Sequence, residues 1–175
     1  MALCLAAKED IVVVGYSSGV IRFHSTKNLA CVNSFKICDS AVFEVAITED
    51  SRNVYAFVSD RRCYTMRKAL GQKSIKCHKL DSDLKRGSIS TSKRSIAGVC
   101  MSGAVFLAYY DYIQILNTST KINTCYFYRH QSLFGGCEDG SLCIFRTEMD
   151  KPSHRIQPLT DRSIARLYCS KNYML

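Results

Sequence analysis

No apolar run in the 175 residues approaches the ~20 that a membrane-spanning helix requires, which excludes a helical membrane span. The N-terminus, MALCLAAKED, lacks the basic segment and long apolar stretch of a secretory signal and reads as a first strand. Only two prolines occur, Pro152 and Pro158, so strand pairing is uninterrupted until late in the chain, where they bracket a loop or an edge strand. No segment keeps a helical period for ten residues, which leaves little room for helix. There is no C-x-x-C pair, and His24, His78, His130 and His154 are scattered, so nothing marks a structural zinc site. G-x-S-x-G, P-loop, G-x-G-x-x-G and H-E-x-x-H motifs are absent, and no nucleophile is paired with a base. Gly135-Gly136 precedes no helix and so forms no phosphate cradle. These absences point away from an enzyme and from any cofactor.

What the chain does have is apolar alternation of period two. AVFEVAI, NVYAFVS, CYTMRKA, AVFLAYY, YIQILNT and SLCIFRT each read as strands rich in β-branched and aromatic residues. Ten cysteines (4, 31, 38, 63, 77, 100, 125, 137, 143 and 169) sit mostly within such runs, which fits free thiols acting as small hydrophobes in a reducing compartment. The clearest pattern runs from Leu3 to Phe35. LCLAA, IVVVGYS, VIRFHST and LACVNSF are joined by turns at Glu9-Asp10, Ser18-Gly19 and Lys27-Asn28. Such a sheet covers its faces only by stacking on copies of itself.

Further copies align on the turn between the second and third strands, at Ser18-Gly19, Asp60-Arg61, Asp111-Tyr112 and Asp139-Gly140, with spacings of 42, 51 and 28 residues. The second spacing is long by roughly the basic, serine-rich stretch 80–94, which reads as an inserted loop. The third is short by about one strand and its turn.

This pattern resembles WD40-like β-propellers. AVFEVAITEDSRNVYAFVSDRRCYTM is similar to the stretch in which an inner strand ends in an acidic turn and the next strand ends in Ser-Asp. GGCEDGSLCIFRT resembles the following turn and third strand, with Phe145 where that family usually carries tryptophan; Phe23 and Leu116 are placed alike in their own repeats. The chain departs from the family in having neither tryptophan nor a Gly-His dipeptide, so the His-Asp-Ser-Trp network of strong WD repeats cannot form. The resemblance implies an all-β fold of about four four-stranded blades, a partial or small propeller, over 3–38, 41–80, 95–130 and 131–160, with 161–175 starting a further blade.

The net charge of +9 is local. Residues 61–94 hold eleven Lys or Arg and only Asp81 and Asp83 as acids, while the rest of the chain is balanced at thirteen of each sign. Arg61, Arg62, Lys85, Arg86, Lys93 and Arg94 are therefore the candidate partner-binding residues, as an electropositive patch. Lys85-Arg86-Gly87-Ser88 makes Ser88 a candidate phosphosite, because basic residues precede the hydroxyl. Tyr109, Tyr110, Tyr112, Tyr126 and Tyr128 are candidate interface anchors or inter-blade packing.

The expected function is non-catalytic display. The chain reads as a scaffold module of a multi-subunit complex, cytoplasmic or nuclear, with protein partners and no membrane. The blade count allows a compact four-bladed ring, a half-propeller completed by a partner, or an open fragment that associates, as in a dimer. The alternative is a ribonucleoprotein subunit using the 61–94 cations on RNA phosphates.

Overall fold

The computed structural model describes residues 1–67, 74–116, 118–128, 131–147, 152–156 and 161–168. The chain divides into two compact units, Met1–Asp83 and Leu84–Leu175. Each contains two four-stranded antiparallel sheets in which the strands pair in chain order.

In the first unit, one sheet consists of β1 (Ala2–Lys8), β2 (Ile11–Tyr16), β3 (Val20–Ser25) and β4 (Cys31–Lys36). The other consists of β5 (Val42–Ile47), β6 (Asn53–Val58), β7 (Arg62–Arg67) and β8 (Lys76–Lys79). Alternation decides which side chains face inward. Ile11, Val13, Ile21 and Phe23 of the first sheet share a buried cluster with Val42, Val45, Ile47, Val54, Ala56, Val58, Tyr64 and Met66 of the second. Each fully buried aliphatic or aromatic side chain contributes roughly 1.5–3 kcal/mol, so the face between the sheets holds the unit together. Gly15 allows that approach. A Cβ there would lie 2.6 Å from Cys4 Sγ and 2.6 Å from a Val42 methyl.

In the second unit, one sheet consists of β9 (Ser90–Thr91), β10 (Ile96–Val99), β11 (Val105–Ala108) and β12 (Ile113–Leu116). The other consists of β13 (Ile122–Tyr128), β14 (Ser132–Cys137), β15 (Leu142–Arg146) and β16 (His154–Ile156). Its core cluster includes Ala97, Val99, Val105, Leu107 and Leu116 with Ile122, Phe127, Leu133 and Phe145. Large fully buried side chains such as Tyr55, Phe57, Phe106 and Phe145 fill the volume in a chain without tryptophan.

The sheets span 2–36, 42–79, 90–116 and 122–156, so the last two differ from the expected 95–130 and 131–160. The misplacement starts at one turn. The third sheet's turn between its second and third strands is Ser102-Gly103, not Asp111-Tyr112, which joins β11 to β12. Counted on Gly19, Arg61, Gly103 and Gly140, the spacings are 42, 42 and 37, and no strand is missing. INTCYFYRH contains the first strand of the fourth sheet, and Leu116 lies on a fourth strand rather than a third. The first strand of the third sheet is the two-residue Ser90-Thr91, whose polar residues carry no alternation to reveal it. The 80–94 stretch, expected as an inserted loop, contributes this strand and a bridge between Leu84 and Cys100. In the tail, Ile164 donates its N–H to Cys137 O at 3.0 Å and packs on Gly136; the rest of 161–175 beyond Tyr168 lies outside the described residues.

The corrected alignment exposes a backbone rule. All four aligned residues are left-handed, with φ of 75° at Gly19, 64° at Arg61, 86° at Gly103 and 79° at Gly140. Three are glycine, and Arg61 carries a Cβ in a region that costs an L-residue roughly 1–2 kcal/mol. Arg61→Gly should therefore raise stability by about 0.5–1 kcal/mol, the entropy of glycine in the unfolded chain offsetting part of the relief. Arg61→Ala keeps the strain and serves as the control. Gly15→Ala should lower stability by roughly 1–3 kcal/mol, because the added methyl overpacks the sheet interface. Urea unfolding of the three variants checks both expectations.

Candidate interaction surface

Of the six expected cations, Arg61 and Arg62 belong to the turn from β6 to β7 in the first unit, and the other four lie in the second. Within the second unit, Lys85 and Arg86 flank the Val99 end of β10, where Lys85 N–H bonds Val99 O at 2.8 Å. Lys93 and Arg94 occupy the β9–β10 turn at the Ile96 end. At ~3.3 Å per residue, a strand of this length holds the two pairs roughly 10 Å or more apart.

Serine chemistry builds both turns. At Lys85-Arg86-Gly87-Ser88, Ser88 N–H bonds Lys85 O at 3.2 Å and Gly87 is left-handed, leaving Arg86 exposed. Ser88 itself is only 6% exposed. Its hydroxyl donates to Val99 O at 3.1 Å and accepts from Val99 N–H at 3.0 Å, acting as a side-chain rung on the sheet edge. A phosphate there would break both bonds and require this edge to open. At the other turn, Ser92 N–H bonds Ser95 O at 2.8 Å, the two hydroxyls meet at 2.7 Å, and both serines are buried. That clamp holds Lys93 and Arg94, both exposed, at the tip.

The same end of this sheet carries the β11–β12 turn. Antiparallel pairing sets Ile96 opposite Ala108, so the Tyr109–Tyr112 turn emerges beside the Lys93-Arg94 turn, two strands away. Tyr109 and Tyr112 stack with centroids 4.8 Å apart and planes at 26°. Tyr109 is anchored by its hydroxyl to Thr147 O at 3.3 Å, and Tyr112 is 52% exposed. A rigid cation pair beside a pre-stacked aromatic pair is the surface composition that anchors binding partners. Each half had been recognisable in the sequence, but their adjacency was not, because strand pairing creates it.

In the first unit, the turn cations are held by acids. Arg62 donates to Asp60 through Nε, at 2.9 Å, and through Nη2, and its guanidinium lies 5.7 Å from the Tyr64 ring centroid. Ser40 completes the group with a 2.8 Å bond to Asp60. The Arg62 guanidinium is the main reason that the Asp60 carboxyl titrates down at about 2. Burial, with a smaller contribution from Cys77, pushes the Tyr64 phenol up to about 12. Arg61 pairs more loosely with Asp83, at 3.4 Å. The fourth sheet builds a related turn. Asp139 takes bonds from Ser141 and from Arg155, which also reaches Ser119 at 3.4 Å, and the Ser141 hydroxyl chiefly holds the Asp139 carboxyl below its ordinary value. Arginine and serine thus brace the acidic turns without histidine or tryptophan.

Cys63, Cys100, Cys125, Cys137 and Cys143 are buried free thiols. Burial pushes Cys125 up to about 12 and, together with the Cys137 thiol at 3.4 Å, does the same for Cys143. Among the described residues no three His, Cys, Asp or Glu side chains converge on a metal-sized site, and no helix is long and apolar enough to cross a membrane.

No protein-family profile and no curated protein matches the sequence. Solved structures do match in fold. The Swd1 (Cps50) β-propeller domain of Myceliophteria thermophila superposes with a TM-score of 0.71 at 9% identity, over 97% of this chain and 61% of that one. The computationally designed Ika8 protein gives 0.75 at 14% identity, over 99% and 54%. The RRP9 WD40 repeats give 0.63 at 15% identity, over 86% and 47%. The chain therefore has a WD40-like β-propeller repeat fold and spans roughly half to three-fifths of the length of these structures.

Asp60 yields a pH prediction. Its carboxyl has an ordinary value of 3.8 and a folded value of about 2. The pair therefore stabilises fully above the unfolded value, and its contribution is lost as the pH falls through the folded one. Solvent reaches 31% of the Asp60 side chain and screens the pair, so Asp60→Asn should lower stability at neutral pH by no more than about 1 kcal/mol. Between pH ~4 and ~2 the variant should lose stability less steeply than the parent, as followed by thermal melts across that window.

Proposed function

We propose that the chain is a non-catalytic interaction module of a larger protein complex, cytoplasmic or nuclear, that works by rigid display of its turns to a protein partner. The observation that carries this reading is the sheet end where exposed Lys93 and Arg94 stand beside the stacked, half-exposed Tyr112. Arginine and tyrosine are enriched in binding hot spots, and tyrosine offers a large contact area at low conformational-entropy cost. The serine clamp and the tyrosine stack fix these groups before a partner arrives, which reduces the ordering cost of binding. The fold supports the same role, since its tight turns stand at the sheet ends and carry the exposed cations. Lys85 and Arg86 add cations at the other end of β10, and Arg61 and Arg62 add two in the first unit.

A second reading has support from the same surface. Cations beside a stacked aromatic also suit single-stranded RNA, where phosphates meet the charges and a base stacks on the ring. This makes the chain a ribonucleoprotein subunit.

Affinity capture with the tagged full chain at physiological salt separates the two. The scaffold reading expects a captured protein that survives ribonuclease treatment. That protein should be weakened at least about tenfold by Tyr112→Ala with Arg94→Ser, and be little affected by Lys85→Ser with Arg86→Ser. The RNA reading expects direct RNA binding that falls steeply with salt and is lost when Arg61, Arg62, Lys85, Arg86, Lys93 and Arg94 are all changed to Ser. RNA binding unaltered by that change rules the second reading out.

A further inference from the structure

The first unit has a hollow between β4 of its first sheet and β7 of its second, with a volume of about 160 Å³. Its floor is buried apolar surface, since Ile11, Phe23 and Met66 are only 5%, 4% and 1% exposed. Half-buried Phe35 also lines it and meets Phe23 edge-on, with ring centroids 5.8 Å apart and planes at 75°. Val32, Asn33 and Arg67, all exposed, form the rim.

A β-bulge shapes that rim. Phe23 pairs with Asn33 and His24 with Cys31, so Val32 stands opposite no residue of β3. A regular strand would point Val32 and Asn33 to opposite faces. The bulge re-aims the strand locally, and both side chains line the hollow. Asn33 Oδ1 accepts the Ser34 N–H at 3.0 Å, so the amide presents its N–H donors. β4 is an edge strand of its sheet, and a segment arriving at the rim displaces no strand of the ladder.

Size and lining select the occupant. An apolar cavity of ~150 Å³ takes one benzene ring, whereas sites for whole small molecules usually exceed ~300 Å³. The hollow therefore suits one side chain of a larger ligand. Each part of the lining favours an aromatic one. The Phe23 and Phe35 rings offer edge-to-face contact, the Met66 sulfur is a favourable neighbour for a ring, and the Arg67 guanidinium attracts a ring face. The rim also sets the charge. It carries a cation and an amide, and no carboxylate lines the hollow. An acidic residue close to the ring complements it.

We infer that this hollow is a docking site for a phenylalanine side chain of a protein partner, presented on a segment with an aspartate or glutamate near the ring. The inference rests on the reading of the chain as a protein-interaction module. It uses residues of the first unit, whereas Lys93, Arg94 and Tyr112 belong to the second.

Selection of phage-displayed random linear peptides on the full chain under reducing conditions, after depletion on the Val32→Asp variant, tests the assignment. Val32→Asp changes a side chain that is 60% exposed, so its circular dichroism should match the parent's. The peptides that remain should share an aromatic residue with an acid close in sequence. A synthetic peptide of that sequence should shift the Ile11, Val32 and Met66 methyl signals in the NMR spectrum of the parent. Val32→Asp, or alanine in place of the peptide's aromatic residue, should weaken it at least about tenfold. Arg67→Gln should remove the preference for the peptide's acid over the corresponding amide. Tyr112→Ala with Arg94→Ser should leave this binding unchanged, so failure here and failure of the display surface are separately visible. Hydrocinnamate, a phenyl ring on a short carboxylate chain, is the small-molecule control. A selection that leaves no peptide, a consensus without an aromatic residue, methyl shifts confined to other residues, or binding of hydrocinnamate but of no peptide each overturns the proposal.

Discussion

Face-to-face burial of thin sheets is the constraint on which the rest of this structure depends. A four-stranded sheet of six-residue strands has almost no interior of its own. Every aliphatic side chain on it points to one of two faces, and a face left in water forfeits its contribution to stability. The first unit meets this condition through the contact between Ile11, Val13, Ile21 and Phe23 and the β5–β7 face. The second unit meets it with Leu107, Leu116, Ile122, Leu133 and Phe145. Close approach follows from the same need, which is why Gly15 and Gly136 sit where the next segment presses on the sheet.

Turn geometry then has to repeat as the faces repeat. One residue of the turn after each second strand adopts a left-handed backbone, whether the sequence writes Gly19, Gly103, Gly140 or Arg61. The acids in two of these turns, Asp60 and Asp139, are braced by the strand arginines Arg62 and Arg155 and by the loop serines Ser40 and Ser141. Such bracing suits a sheet edge, where backbone groups face water and side chains are the only remaining means of fixing the turn. Buried serines do the same work at the start of the third sheet. Ser88, Ser92 and Ser95 tie a polar segment to β10 without an apolar side chain among them. The consequence for function is that Lys93, Arg94 and Tyr112 project from a rigid base.

The all-β architecture, the alternating strands and the two-strand turns were legible in the residues, because period-two alternation and Gly- or Asp-containing turns are local signals. The concentration of charge in 61–94 was equally legible. What misled was the third repeat. Ser90-Thr91 forms a strand although neither residue is apolar, since its place depends on pairing with Ala97 and Ile96 and on Ser90 Oγ accepting Phe127 N–H at 2.9 Å. Without that strand, the spacing of apolar runs aligns Asp111-Tyr112 in place of Ser102-Gly103 and leaves the fourth repeat one strand short. Ser88 shows a related limit. Its basic context is written in the sequence, but the burial of its hydroxyl against Val99 is not.

By itself the sequence determined the fold class and the local positive charge, because each arises from neighbours along the chain. Only the tertiary structure decided which cations stand together, that Tyr109 and Tyr112 stack beside one pair of them, and which apolar faces are covered. Those outcomes depend on strand register and on sheet-to-sheet contact. Both are set by residues tens of positions apart, whose meeting no local pattern records.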